Sequence, residues 1–306
     1  MNVVIVIVSY NGMQWIERCL SSSLPYPVIV VDNNSSDGTQ GFIKEHFPTV
    51  TLIENKNNLG FGIANNVGIQ IALENNFEFV FLLNQDAYLE HDTIKNLIIQ
   101  SRLHPDYGIL SPIHFQDGWE ILDKNFSYFI RYEMNRNFIG DAVNKVLKDL
   151  YSVPFINAAG WLLTKEAIEV VGGFDPLFFM YGEDDNLCQR MKYHGYKIGV
   201  VTTAKMIHDR SERTEPWIEP FSEAYFKKMR KHYLNVYANI NNLDYKSHFE
   251  ATYSSIRKLA RKNKFKLSFK RAKNHELELK LLNDLLPQIE LSRARNSEKN
   301  QSLIQY

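Results

Sequence analysis

Cysteine is nearly absent from this chain of 306 residues, which carries only Cys19 and Cys188. Two thiols cannot build a disulfide framework, and neither lies in the spacing of a zinc or redox motif; a reducing compartment is the expectation. Net charge is absent as well, at +0 with 35 basic and 35 acidic residues, so no global field recruits nucleic acid, and no nucleic-acid partner is expected. Apolar runs are short, and none reaches the length needed to span a bilayer. The opening MNVVIVIVSYNG has no basic n-region and no small-residue cleavage site, so it reads as a first strand rather than a signal peptide. The expected location is cytoplasmic, with any membrane contact peripheral and at the inner face of the cell membrane. Rossmann-type glycines are missing too: the turn after the first strand holds no glycine-rich fingerprint, and LGFGIANNVG gives only G-x-G-x-x-N after the third apolar run.

What is present is ordinary for a soluble enzyme with a sizeable core, at 44% hydrophobic and 23% charged residues. The β-branched runs Val3 to Ser9, Pro27 to Asp32 and Thr49 to Asn55 alternate with helical spacing around Met13 to Ser22 and Thr39 to His46. Strands alternating with helices imply right-handed crossovers, hence an α/β fold with a mainly parallel central sheet flanked by helices. Ile63 to Leu73 has helical periodicity, Phe79 to Leu83 is a strand, and a helix near Leu97 leads to the strand GILSPIHF. Residues 117–151 are aromatic, mixed in charge and without clear periodicity, an insertion. VPFINAAGWLLTKEAIEVVGGFDP reads as strand, turn and helix, with Thr164 as cap and Gly172 as stop. Asp185 to His194 is a further helix, and KIGVVTTAKMIHD a final strand reaching His208. From Phe221 the pattern is helical and basic, and the polar end from Ser292 is expected to fray. The expected division is therefore 1–220 for the α/β domain and 221–306 for a helical basic extension.

Several strand ends carry polar groups. The run Phe79 to Leu83 stops abruptly in Asn84, Gln85 and Asp86, the pattern of a buried strand presenting side chains at its carboxyl edge, where open α/β sheets bind ligands. These three could alternatively cap the helix suggested by LEHDTIKNLIIQ. Asp32 ends VIVVD just before NNSSDGT, and an acceptor-only carboxylate there could receive the N–H of a pyrimidine base. Gly60 and Gly62 permit close backbone approach to a phosphate near a helix N-terminus. Glu183, Asp184 and Asp185 follow Gly182; the macrodipole accounts for one or two of them, and a carboxylate at such a junction also suits a general base. His208 ends another strand, so that Asp86 and His208 could share a divalent cation with diphosphate oxygens and water.

Taken in order, SYN, VDNNSSDGT, NLGFGIANNVG, LLNQDAYL and NAAGWLLTKEAIEVVGGFDPLFFMYGEDDNLCQRMKYHGYKI resemble the family 2 glycosyltransferases of GT-A fold, most of all their bacterial rhamnosyltransferase-like and galactofuranosyltransferase-like members. The resemblance covers roughly the first two-thirds of the chain. It implies that Ser9, Tyr10 and Asn11 border the nucleotide, that Asp32 accepts from its base, and that Gly60, Asn65 and Asn66 line the pocket. The family's Asp-x-Asp metal motif reads Asn84-Gln85-Asp86 here, leaving Asp86 to meet Mn²⁺ or Mg²⁺ with help from His208. Asp184 of the Glu183-Asp184 pair is the implied catalytic base, and Asn157, Ala159, Gly160 and Trp161 would face the acceptor. The implied reaction moves a sugar, with inversion, from a dTDP- or UDP-linked donor to a hydroxyl of a saccharide or lipid-linked saccharide in surface polysaccharide synthesis. The competing readings are a sugar-phosphate nucleotidyltransferase, whose Gly-rich, Arg- and Lys-containing loop after the first strand is replaced here by SYNGMQWIER, and a noncatalytic carbohydrate-binding protein of the same fold. The basic segment Ile256 to Lys273, with Leu259, Phe265, Leu267 and Phe269 among its charges, suits a solvated helical face, a peripheral membrane contact or a homo-oligomer interface.

Overall fold

Alternate residues of Val3–Ser9 (β1) enter two different cores, Val4 and Val6 on one face and Val3, Ile5 and Ile7 on the other. A strand apolar on both faces must be covered on both, and this places it in the middle of a sheet between helical layers. The computed structural model describes residues 1–210 and 217–299. Along the chain β1 is followed by Ile16–Ser23 (α1), Val28–Asp32 (β2), Thr39–His46 (α2), Thr51–Glu54 (β3), Phe61–Glu74 (α3), Phe79–Asn84 (β4) and Ala87–Leu89 (β5). Then come Thr93–Leu103 (α4), Tyr107–Phe115 (β6), Lys124–Phe129 (α5), Phe138–Val143 (α6), Leu150–Ser152 (β7), Gly160–Thr164 (β8), Lys165–Val171 (α7), Glu183–Tyr193 (α8) and Lys197–His208 (β9). The helices Glu223–Tyr237 (α9), Tyr245–Phe265 (α10) and Phe269–Asn296 (α11) close the described chain. No helix among the described residues is long and apolar enough to cross a membrane.

One sheet runs in the order β3-β2-β1-β4-β8-β6-β9-β5, with β7 also paired to β9. It is parallel from β3 through β4 and mixed beyond, because β8 runs antiparallel to both β4 and β6 while β6 and β9 are parallel to each other. Ile16 and Leu20 of α1, Ile43 of α2 and Leu97 of α4 cover one face; Ala64 and Ile69 of α3, Ile168 of α7 and Leu187 of α8 cover the other. Thr164 caps α7, its hydroxyl accepting from the Ala167 N–H at 3.1 Å, and Gly172 stops that helix at φ 83°.

Several local expectations are corrected. Asn84 to Asp86 cap nothing: the short strand β5 follows them, and α4 starts only after Asp92. The segment 117–151 has α5, α6 and the start of β7, with Asp123 accepting from the Phe126 N–H at the head of α5. The strand expected from Val153 begins only at Gly160, and α8 begins at Glu183, ahead of Asp185. The end expected to fray from Ser292 stays helical to Asn296, since Ser292 and Asn296 are buried; residues 300–306 lie outside the described residues.

The described residues fall into two compact units, one of residues 1–210 with Lys299 and one running from Trp217 to Glu298. The second is an all-helical unit whose core takes Tyr233, Leu234 and Tyr237 from α9, Phe249 and Ile256 from α10, and Leu282, Leu285 and Ile289 from α11. Its one buried carboxylate, among the described residues, is Glu278, which accepts from the Tyr233 hydroxyl at 2.7 Å.

Candidate active site

Register sets the site. Ser9 pairs with Asp32 and Val8 with Asn84, so β1, β2 and β4 all end at one edge of the sheet. The antiparallel β8 starts there at Gly160, opposite Leu83, and β6 and β9 end on the same side at Phe115 and His208. This is the carboxyl edge at which open α/β sheets bind ligands.

On the β1–β2 side the polar groups hold one another. Asp32, fully buried, accepts from the Ser35 N–H at 2.9 Å, the Ser35 hydroxyl at 2.5 Å and the Gln40 amide at 2.5 Å. Asn11 stands in a left-handed conformation, φ 48°, donating its N–H to Ser35 and accepting from the Ser36 N–H through its side chain, both at 2.9 Å. Asparagine tolerates that backbone better than most residues. Asn33 donates to the Gly60 carbonyl at 3.2 Å, tying the loop before α3 to β2. Gly60 has φ 80°, and a Cβ there would collide with the Phe179 carbonyl oxygen, so only glycine allows this approach.

The two asparagines expected in the nucleotide pocket are engaged inside the fold. Asn65 donates to the Phe61 carbonyl at 3.0 Å within α3. Asn66 is buried and bridges the Phe174 backbone, donating to its carbonyl at 2.8 Å and accepting from its N–H at 2.7 Å; it fastens α3 to the loop after α7. Gln85 acts in the same way: its oxygen accepts from the Ser9 hydroxyl at 3.1 Å and the Tyr10 N–H at 3.0 Å, and its nitrogen donates to the Tyr10 carbonyl at 3.2 Å. Gln85 thus locks the turn after β4 onto the end of β1, leaving Tyr10 exposed beside it.

On the β4–β9 side the polar groups are less complete. Asp86 Oδ1 lies 3.6 Å from His208 Nε2, because Ala87 pairs directly with His208 where β5 meets β9. His208 is buried and its Nδ1 has no hydrogen bond, with Asp123 Oδ2 lying 3.7 Å from it. Asp123 receives two hydrogen bonds from Arg210, at 2.9 and 2.8 Å. Burial acts to raise its carboxyl, but the bonds from Arg210 and from the Phe126 N–H outweigh this and hold it below the usual carboxylate range. His114, whose ring is 6.1 Å from that of His208, is kept well below the usual imidazole range by burial and by His208. The Asn84 side-chain oxygen, at the end of β4, is buried without a hydrogen-bond partner.

This donor set fits a divalent cation in a limited way. A carboxylate and an imidazole nitrogen 3.6 Å apart can share one ion, and a carboxylate behind the other ring nitrogen is a common orienting arrangement. Among the described residues no group of three or more His, Cys, Asp or Glu is placed to hold a metal, so Asp86 and His208 are the pair these residues offer at this edge.

Glu183, Asp184 and Asp185 form the first turn of α8, entered through Tyr181 at φ 67° and Gly182 at φ 104°. A Cβ on Gly62 would lie 3.5 Å from the Glu183 Cβ, so the heads of α3 and α8 are neighbours. Glu183 is buried, whereas Asp184 is half-buried and accepts the Asp185 N–H at 2.9 Å. Behind them the buried Arg190 donates to the Val171 carbonyl and Asn186, both at 2.9 Å, and to the Gly173 carbonyl.

The acceptor-facing roles expected of Gly160 and Trp161 do not match their places. Gly160 is packed so closely on Met206 that a Cβ would strike its sulfur, and Trp161 is fully buried, stacked on Phe174 with centroids 6.2 Å apart. Both serve the core because β8 points Trp161 into the face shared with α3 and α8. Their neighbours stay nearer the edge: Asn157 is half-buried with an unpartnered side-chain oxygen, and the Ala159 carbonyl accepts the Asn84 N–H at 3.0 Å. Asp123, Arg210 and His114 were not singled out from sequence. Asp123 sits in the insertion without periodicity, and its only local signal is an Asp three residues before Phe126, the pattern of a helix cap.

The profile of glycosyl transferase family 2 matches residues 4–172, and that described as the N-terminal domain of galactosyltransferase matches residues 159–212. The N-acetylglucosaminyl-diphospho-decaprenol L-rhamnosyltransferase of Mycobacterium tuberculosis strain CDC 1551 is 26% identical over 242 residues, 69% of this chain and 76% of the relative. The dTDP-rhamnosyl transferase RfbF of Shigella flexneri is 25% identical over 215 residues, 68% of this chain and 69% of the relative. Among solved structures, GalNAc-T7 with UDP, GalNAc and Mn²⁺ superposes with a TM-score of 0.58 at 16% identity, over 79% of this chain and 52% of that one. The present chain thus spans about half the length of that protein, and the likeness is one of fold, the GT-A architecture.

Proposed function

We propose, from the premise that the chain belongs to glycosyl transferase family 2 and is a nucleotide-sugar glycosyltransferase, that it transfers a rhamnosyl or other hexosyl group from a dTDP- or UDP-linked donor to a hydroxyl of a saccharide or lipid-linked saccharide, with inversion, in surface polysaccharide synthesis. The names of the M. tuberculosis and S. flexneri relatives support the sugar, the dTDP carrier and the lipid-linked acceptor. The observation that carries the reading is the Asp86–His208 pair, 3.6 Å apart at the edge where β1, β2 and β4 end.

Residues then divide by what they can reach. Tyr10 and Asn11 stand exposed at the rim for the nucleotide, with Ser9, Gly60 and Asp32 buried behind them; Asp32 orders that rim through Ser35 and Gln40, and a pyrimidine N–H would have to share its carboxylate with them. Gln85, Asn65 and Asn66 hold the rim in place. Mn²⁺ or Mg²⁺, when bound by Asp86 and His208, would stabilise the negative charge of the nucleoside diphosphate as it leaves. The backbone N–H groups at the heads of α3 and α8 favour the same charge. Asp184, half-buried on the first turn of α8, takes the proton of the acceptor hydroxyl as its oxygen bonds to the anomeric carbon and the bond to the diphosphate breaks. Glu183, buried beside it against α3, fixes the position of that turn.

Thermal-shift screening of nucleotide sugars with and without Mn²⁺ or Mg²⁺, followed by a transfer assay on the best donor, tests the reading. A dTDP- or UDP-sugar should raise the Tm, more so with metal, since ligands that bind only the native state stabilise it. Stabilisation by nucleoside triphosphates alone, or full activity in excess chelator, would overturn the donor assignment or the metal assignment respectively.

A further inference from the structure

In the second unit the turn between α10 and α11 is built against local preference. Lys266 is the C-cap of α10, and Leu267 follows in the left-handed region at φ 55°. The Leu267 N–H donates to the Lys264 carbonyl at 3.0 Å and the Ser268 N–H to the Asn263 carbonyl at 2.8 Å. This is the Schellman ending of a helix, whose left-handed position glycine normally fills because it pays no steric penalty there. The hydrophobic contact that often accompanies the motif is missing, since the residues that would make it are Asn263 and Ser268. Leucine's side chain therefore earns nothing inside the fold, and it stands 75% exposed, between Phe265 at 89% and Phe269 at 63%.

The stretch from Arg257 to Lys273 carries charge of one sign. Every Lys and Arg from Arg257 to Lys273 is exposed, no acidic residue interrupts them, and among the described residues only Lys264 has an ion pair, with Glu276. Three large apolar side chains held outward within five residues, among exposed cations of which all but Lys264 lack an ion pair among the described residues, match the two layers of an anionic lipid surface: charged headgroups outside, hydrocarbon beneath. A nucleic acid would use the cations and could stack on the phenylalanines, but gives no role to an outward leucine. A second copy of the same tip would bring the same positive charge and repel it.

We propose that the α10–α11 turn is a membrane-docking tip, in which Phe265, Leu267 and Phe269 enter the headgroup boundary of an anionic bilayer while the flanking lysines and arginines hold the phosphates. The proposal does not depend on the chemistry assigned to the sheet edge, and its test reads binding, not transfer.

The full chain is co-sedimented with vesicles of phosphatidylglycerol mixed with phosphatidylcholine, and with phosphatidylcholine alone. Binding is expected only to the anionic vesicles and should fall with added salt. Leu267→Gly is the decisive variant, because it relieves the left-handed backbone: the Tm should hold or rise, while binding to anionic vesicles weakens about tenfold, the loss expected for one buried leucine side chain. Lys266→Glu should weaken binding by a comparable factor with no change in Tm. Equal binding to both vesicle types, or vesicle binding unchanged by Leu267→Gly and Phe265→Ser, overturns the proposal. So does the absence of vesicle binding together with capture of single-stranded RNA, or with self-association that Leu267→Gly abolishes.

Discussion

The two halves of the carboxyl edge are built differently. Around β1 and β2 nearly every buried polar group has its partner within the chain: Asp32 with Ser35 and Gln40, Asn33 with Gly60, Asn66 with Phe174, Gln85 with Ser9 and Tyr10. Around the ends of β4 and β9, and at the head of β8, buried groups are short of partners, as at the side-chain oxygens of Asn84 and Asn157 and at His208 Nδ1. Buried polar groups are almost always hydrogen-bonded, and each exception calls for an explanation, among them a catalytic role or a bound ion or water. The first half is a finished frame; the second carries capacity that the chain itself does not use.

This contrast can be broken by substitution. The largest effect is expected for Asp184→Asn, which removes a proton acceptor and keeps shape: turnover should fall by about 10²–10⁴-fold while calorimetry shows donor affinity unchanged. Near-normal turnover would take Asp184 out of the base role. Next comes Asp86→Ala, expected to cost about 10–100-fold in Mn²⁺ affinity by titration, with weaker nucleotide binding and little change in Tm. Asp123→Asn keeps an acceptor for the Phe126 N–H yet removes the charge behind His208, so Mn²⁺ affinity should drop by up to about tenfold. An unchanged affinity would confine Asp123 to capping α5 and holding Arg210.

On the finished side the pattern should invert. Asn66→Ala leaves both the N–H and the carbonyl of Phe174 without their partner, at a cost of about 1–3 kcal/mol, read as a lower Tm with turnover retained at low temperature. A mutant of normal stability with lost turnover would move Asn66 into the nucleotide pocket after all. The smallest effect concerns the thiols. Burial raises the Cys19 and Cys188 thiols far above their ordinary range, so the native protein should resist iodoacetamide at neutral pH and react only on unfolding.

Much of the fold was legible because its signals are local. Runs such as VVIVIVS and VIVVD read as buried strands, and Thr164 and Gly172 bracket α7 as their residue types predict. The mixed half of the sheet was not legible in the same way, since the direction of β8 depends on its partners β4 and β6 and not on GWLLT itself. Trp161 shows the limit for the site. Its place beside a strand end suggests an exposed role, but period-2 alternation in β8 turns it into the core, and the face it takes is fixed by register. Asp123 was hidden for a related reason: an aspartate in a segment without periodicity carries no sign that it will lie 3.7 Å from a histidine 85 positions later.

The amino-acid sequence by itself determined the alternation of strands and helices, the polar residues at the strand ends, the family they resemble and the single-sign charge of residues 257–273. These rest on interactions between near neighbours, which spacing records. Only the tertiary structure decided that Asp86, His208, Asp123 and Arg210 meet, that Gln85, Asn66 and Trp161 serve the frame, and that Leu267 is held outward on a left-handed turn. The first two follow from strand register and helix packing between residues far apart in the chain, and the third from a helix ending whose geometry overrides the preference of the residue that occupies it.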